Sequence, residues 1–137
     1  MSTILIIDND LRQTSSKVDL LRKRGYEVIP CTDVDSCLEI VEDYRKGKVK
    51  IDCILLDVMM PSGQFKSSDT DKGRNTGLIL HREIRKRLGK PIPTIVVTVR
   101  NEEELMKEFL HEEGITGFLT KPVRIRNIED EIERALN

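Results

Sequence analysis

The sequence predicts an α/β domain, a five-stranded parallel sheet covered by helices on both faces. Three observations predict it. Residues 3–8 (TILIID), 51–57 (IDCILLD) and 92–98 (IPTIVVT) are short, almost unbroken apolar runs, the pattern of strands buried on both faces. The stretches between them carry apolar residues at helical spacing. Strand and helix patterns alternate along the chain, which sets all the strands running one way and makes the crossovers right-handed.

The elements follow in order. The first strand closes at Asp8-Asn9-Asp10. A helix spans residues 11–24, with Leu11, Val18 and Leu21 on one stripe, and Asp10 with Gln13 forms a capping box. Gly25 stops it. Residues 26–30 make a shorter strand, and its terminal Pro30 and interleaved Glu27 place it at an edge. Asp33 or Asp35 caps the next helix, in which Val34, Leu38 and Val41 face inward before it fades at Lys46-Gly47. The third strand, residues 51–57, ends in Asp57.

Residues 62–76 (SGQFKSSDTDKGRNT) are polar, glycine-bearing and without period, a loop longer than most connections. Leu80, Ile84 and Leu88 mark a third helix with a basic outer face (His81, Arg82, Arg85, Lys86 and Arg87), read as solvated, with a docking surface as the alternative. Residues 92–98 form the fourth strand. Asn101 with Glu104 caps a helix carrying Leu105, Phe109 and Leu110, and Gly114 ends it. Residues 117–120 form a short fifth strand ending at Lys121-Pro122. The last helix puts Ile125, Ile128, Ile132 and Ala135 or Leu136 on one stripe.

With 137 residues and no internal repeat, the chain reads as one domain, residues 1–137. Hydrophobic residues make up 38% and charged ones 34%, enough apolar surface for a core that must be aliphatic, because tryptophan is absent. A net charge of −1 argues against broad electrostatic binding to nucleic acid or an anionic membrane. Cys31, Cys37 and Cys53 are odd in number and lack a Cys-x-x-Cys spacing, so we read them as reduced thiols of a cytoplasmic protein. No signal peptide precedes the first strand, and no apolar run is long enough to span a bilayer.

Four strands end in chemistry: Asp8, Asp57, Thr98 and Lys121. In a parallel sheet all four fall on one edge, where ligands of open α/β sheets bind. Carboxylates, a hydroxyl and an ammonium together suit a divalent cation plus a phosphoryl group. A central carboxylate can itself be the nucleophile.

The pieces IIDND, LLDVMMP, IVVT and FLTKP, in this order, resemble a response-regulator receiver domain over essentially the whole chain. The resemblance implies a flavodoxin-like fold, a three-layer sandwich with strand order 2-1-3-4-5. It implies Mg²⁺-dependent acceptance of a phosphoryl group by Asp57, from a phosphohistidine on a sensor histidine kinase or a phosphotransfer protein. Asp8 would bind Mg²⁺, and Met59 would offer its backbone carbonyl. Thr98 and Lys121 would each hold a phosphoryl oxygen. Thr98 and Phe118 would be the switch pair, reshaping the face made by helix four, strand five and helix five. Lys121-Pro122 would be a cis peptide. Such a chain is a signalling switch rather than an enzyme, a monomer or a transient homodimer pairing through its last helices. Because the sequence stops after the fifth helix, the expected output is protein contact or onward phosphotransfer.

Three departures from the family pattern stand out. Asn9 replaces the second acid after strand one, so its part in metal binding is weak or indirect and Mg²⁺ affinity should be low. Asp10 either compensates or simply caps the helix. About a dozen residues precede Gly77, the glycine that opens helix three, beyond what a short connection needs. They are either a floppy surface insertion or a lid or docking loop, anchored by Phe65 with Asp69, Asp71 or Lys72 near the site. Val99 is larger than the family's usual small residue, and Arg100 is placed to reach over the phosphate, so autodephosphorylation should be slow. Two other readings compete. One is a phosphorylation-independent pseudo-receiver that only binds partners, supported by Asn9. The other is a haloacid-dehalogenase-like phosphatase using Asp8 and Asp10. His81 and His111 are not given a metal or catalytic role.

Overall fold

A computed structural model describes all 137 residues, apart from the side chain of Leu11, which lies outside the described set. Ten elements alternate: β1 (Thr3–Ile7), α1 (Leu11–Lys23), β2 (Glu27–Cys31), α2 (Val34–Arg45), β3 (Cys53–Leu56), α3 (Thr76–Leu88), β4 (Thr94–Thr98), α4 (Glu103–Leu110), β5 (Ile115–Thr120) and α5 (Ile125–Leu136). The strands form one sheet in the order β2-β1-β3-β4-β5, every pair parallel. This is the flavodoxin-like arrangement expected, with β2 at an edge.

Both faces of the central strands are buried, for the reason the apolar runs indicate. Side chains alternate across a strand. Leu5, Ile7, Ile54, Leu56 and Val96 therefore pack with α2, α3 and α4 through Leu38, Val41, Leu80, Ile84, Leu105 and Phe109. Ile4, Ile6, Leu55, Ile95 and Val97 pack with α1 and α5 through Val18, Leu21, Ile128 and Ile132. The three cysteines are free and buried. Burial pushes the Cys31 thiol up to about 11 and the Cys53 thiol to about 12, so neither is a thiolate at neutral pH.

Several local expectations change in the folded chain. Asp10 caps α1, accepting from the Arg12 and Gln13 amides at 3.1 and 3.3 Å, but the reciprocal half of the capping box is replaced: the Asp10 amide donates to Asp8 Oδ1 at 2.9 Å. Asp33 is the cap of α2, accepting from the Ser36 amide at 2.7 Å. The Asn101 cap does not form. Glu102 holds the N-cap position of α4, and its carboxylate receives Arg100 Nε at 3.1 Å. Leu110 is 56% exposed, because Leu105 and Phe109, four residues apart, already define the buried stripe. β5 begins at Ile115 rather than at residue 117, continuing through Gly117 across a register shift against β4. His81 is buried rather than on the basic outer face. It lies three residues from Leu78 and from Ile84, on the inward stripe, and its Nε2 bonds the Glu113 carbonyl at 2.8 Å.

The 62–75 segment is a hydrogen-bonded loop that packs on the domain. It makes successive turns, with the Phe65 amide donating to Ser62 O, Lys72 to Ser67 O and Asn75 to Thr70 O at 2.8–3.0 Å. Thr70 is fully buried, and Phe65 packs against the core. Gln64 reaches Asp35 through its backbone and side-chain amides, both at 3.1 Å. Asp71 and Lys72 adopt positive φ, 51° and 54°, unusual for residues with a Cβ.

Candidate functional site

Four strand ends converge on one rim, and backbone bonds between neighbours hold them in step. The Asp8 amide donates to Cys31 O at 3.0 Å, Asp57 to Ile7 O at 2.9 Å, and Lys121 to Thr98 O at 2.7 Å. The Lys121-Pro122 peptide is cis. Asp8 and Asp57 are 2% and 8% exposed, and Thr98 is completely buried.

The structure brings Asp8, Asp57 and Lys121 into direct contact. Lys121 Nζ donates to Asp8 Oδ2 at 2.8 Å and to Asp57 Oδ2 at 3.0 Å. The remaining carboxylate oxygens are also engaged, Asp8 Oδ1 with the Asp10 amide and Asp57 Oδ1 with the Val58 amide at 2.7 Å. Burial alone would lower the Lys121 ammonium, but hydrogen bonds and charge from Asp8 and Asp57 outweigh it and hold its pKa above the ordinary lysine value. Thr98 Oγ1 stands on the next strand end and accepts from the Arg100 amide at 3.4 Å. Asn9 and Met59 are exposed at the rim. Phe118 is half-buried, its ring 5.9 Å from that of Phe109 at a tilt of 59°.

Gly77 explains the spacing of the insertion. A Cβ there would lie 2.3 Å from the Asp57 carbonyl oxygen and 2.7 Å from Val58 Cα. Its amide donates to Val58 O at 2.8 Å, so α3 begins against the backbone that carries Asp57. Only a residue without a side chain permits this approach.

Some expectations fail here. Asp10 does not reach toward the carboxylates. Its Oδ1 accepts from the first turn of α1 instead. Arg100 does not lie over Asp57. Its Nη1 donates to Arg74 O and to Asn75 Oδ1, both at 2.8 Å, binding the 62–75 loop to the turn after β4. Val99 points outward, 60% exposed. Asp69, Asp71 and Lys72 are exposed, and Asp71 pairs with Arg74 at 3.8 Å within its own loop.

One residue escaped the sequence reading. Lys17, on α1, places its Nζ 3.6 Å from Asp8 Oδ2 with a side chain only 14% exposed. Burial and the neighbouring Lys121 ammonium lower its pKa, against the opposing pull of Asp8 and Asp57. The available signal was its position, one turn beyond Thr14, whose hydroxyl donates to the backbone carbonyls of Asp8 and Asp10 at 3.2 and 2.7 Å.

The donor set suits a hard divalent cation. Among the described residues no three or more His, Cys, Asp or Glu side chains are grouped to hold a metal. One or two carboxylates with water are nevertheless a common way for Mg²⁺ to be held, and Asp8 and Asp57 stand together here.

The family model described as "Response regulator receiver domain" matches residues 4–133. The chain is similar to the transcriptional regulatory protein CpxR of Escherichia coli (strain K12), 29% identical over 99% of this chain and 50% of that protein. It is similar to the sensory transduction protein RegX3 of Mycobacterium bovis, 30% identical over 99% of this chain and 51% of that one. The chain thus spans about half the length of these relatives. Among solved structures, chemotaxis protein CheY4 of Vibrio cholerae superposes with a TM-score of 0.78 at 23% identity, covering 99% of both chains. A CheY-like receiver domain protein of Methanospirillum hungatei JF-1 gives 0.77 at 24%, covering 99% of this chain and 94% of that one.

Proposed function

The chain belongs to the response-regulator receiver family of two-component signalling, and from that premise we propose that it accepts a phosphoryl group onto Asp57 from a phosphohistidine of a sensor histidine kinase or phosphotransfer protein. The observation that carries the reading is the bridge from Lys121 to both Asp8 and Asp57, at 2.8 and 3.0 Å. It supports a pocket prepared for an anion beside a nucleophilic carboxylate.

The chemistry follows from the chain's own groups. Asp57 Oδ2 is the oxygen that faces the rim cations, since Oδ1 is held by the Val58 amide. It attacks phosphorus as the P–N bond to imidazole breaks. Charge gathers on the phosphoryl oxygens during transfer, and groups held in place for that charge lower the barrier. Lys121 keeps its proton throughout, pairs with one of these oxygens, and so exchanges part of its contact with Asp57 for the phosphoryl group. The Thr98 hydroxyl donates to another. Asp8, Asp57 and the Met59 carbonyl, with Asn9 at the margin, would hold Mg²⁺, which would supply charge neutralisation. The Thr98 hydroxyl gives up the Arg100 amide as it moves toward the phosphoryl group, and Phe118 follows into the space. The face of α4, β5 and α5 then changes for a downstream protein. The protein acts as a monomer or a transient homodimer. No helix among the described residues is long and apolar enough to cross a membrane.

Acetyl phosphate with Mg²⁺ tests this. Mass spectrometry should show one added phosphoryl group in wild type and none in Asp57→Asn. Equal labelling of the two would refute it. A pseudo-receiver that never becomes phosphorylated is the second reading, favoured by Asn9 and by two ammonium groups beside two carboxylates. It predicts no labelling in either protein.

A further inference from the structure

We propose that Lys17 is a built-in competitor for the divalent cation, exchanging with metal at Asp8. The inference deepens the reading above and rests on its placement of the metal at Asp8 and Asp57. Formal charge is the first argument. Asp8 and Asp57 contribute −2, and Lys17 and Lys121 contribute +2, so the pocket sums to zero. A neutral pocket draws a dication far less than one with unpaired carboxylates. Asn9 sits where an acid would have restored a negative charge.

Oxygen accounting is the second argument. All four carboxylate oxygens already have partners: Asp8 Oδ1 the Asp10 amide, Asp8 Oδ2 both ammonium groups, Asp57 Oδ1 the Val58 amide, and Asp57 Oδ2 Lys121. A metal at Asp8 Oδ2 meets both ammonium groups there, and the repulsion of like charges favours the departure of one of them. Lys121 holds two carboxylates at hydrogen-bond distance. Lys17 holds one, at 3.6 Å, from the end of a four-carbon stem on α1. Lys17 is the group that leaves. Once Asp57 carries a phosphoryl group the pocket gains negative charge, and the released ammonium has a second anion within reach.

The probe is Mn²⁺ alone, titrated by electron paramagnetic resonance against the intact chain. Lys17→Met, which keeps the stem and removes the charge, should bind Mn²⁺ about tenfold more tightly than wild type, equivalent to about 1.4 kcal/mol. Lys17→Arg should stay near wild type. A Lys17→Met affinity equal to or weaker than wild type overturns the proposal. A second measurement uses only the natural chain. Saturating Mn²⁺ should raise acylation of Lys17 by acetic anhydride several-fold, read by peptide mass spectrometry, while unchanged labelling overturns it. Neither readout needs phosphorylation. If acetyl phosphate fails to label Asp57 yet Lys17→Met still tightens Mn²⁺, the phosphoacceptor reading fails and this one stands.

Discussion

Gly77→Ala sets two opposed effects against each other at one atom. Gly77 is the second residue of α3, and alanine there should favour the helix by about 1 kcal/mol. The added methyl would lie 2.3 Å from the Asp57 carbonyl oxygen, 2.7 Å from Val58 Cα and 3.1 Å from the Asp57 carbonyl carbon. A carbon and a carbonyl oxygen in close contact stand about 3.3 Å apart, so helix and strand end must separate by roughly 1 Å. All three neighbours are backbone, and a packed interior does not yield cheaply. Overpacking of this kind costs about 3 kcal/mol, the upper end of its usual range. The net expectation is destabilisation by about 2 kcal/mol, which for a chain of 137 residues lowers Tm by roughly 7 °C. Scanning calorimetry reads it. Because the displaced carbonyl belongs to Asp57, acetyl phosphate labelling should slow as well. An unchanged or raised Tm would mean that helix propensity wins, and the close approach of α3 to the Asp57 backbone would be wrong.

Two further outcomes follow from the same structure. Burial lowers the His81 imidazole below its ordinary pKa of 6.5. Below about pH 6.5 the unfolded chain binds a proton that the folded ring resists, so this share of stability is present at pH 7 and is lost as the pH falls. Wild type should therefore lose more Tm between pH 7 and pH 5 than His81→Gln, whose amide can still donate to the Glu113 carbonyl; matching acid sensitivity would count against it. Arg100→Ala removes the two 2.8 Å bonds to Arg74 O and Asn75 Oδ1. Hydrogen exchange of the amides in residues 70–75 should quicken about tenfold, the equivalent of one hydrogen bond of ~1.4 kcal/mol. Undiminished protection would show that the loop is held by its own turns alone.

The strands, the helices and the rim were legible because they depend on local pattern. An apolar run too short for a helix and ending in Asp57 reads as a strand in any surroundings, and alternation with helices puts each such end on one edge. Thr98 and Lys121 were therefore within reach of the sequence, as was the cap at Asp10. What depended on tertiary structure is which groups meet across elements. Lys17 and Asp8 are nine positions apart in the chain, and only the docking of α1 on the sheet sets their distance. His81 read as one of five basic surface residues, yet the way α3 lies against the 111–114 turn puts it inside. Arg100 was close to Thr98 in sequence, and the 62–75 loop turned its guanidinium aside by offering two carbonyl oxygens, Arg74 O and Asn75 Oδ1. Periodicity states which face of an element is apolar. Only packing decides which charged side chain reaches across to the next one, because that choice is made between residues that no local pattern connects.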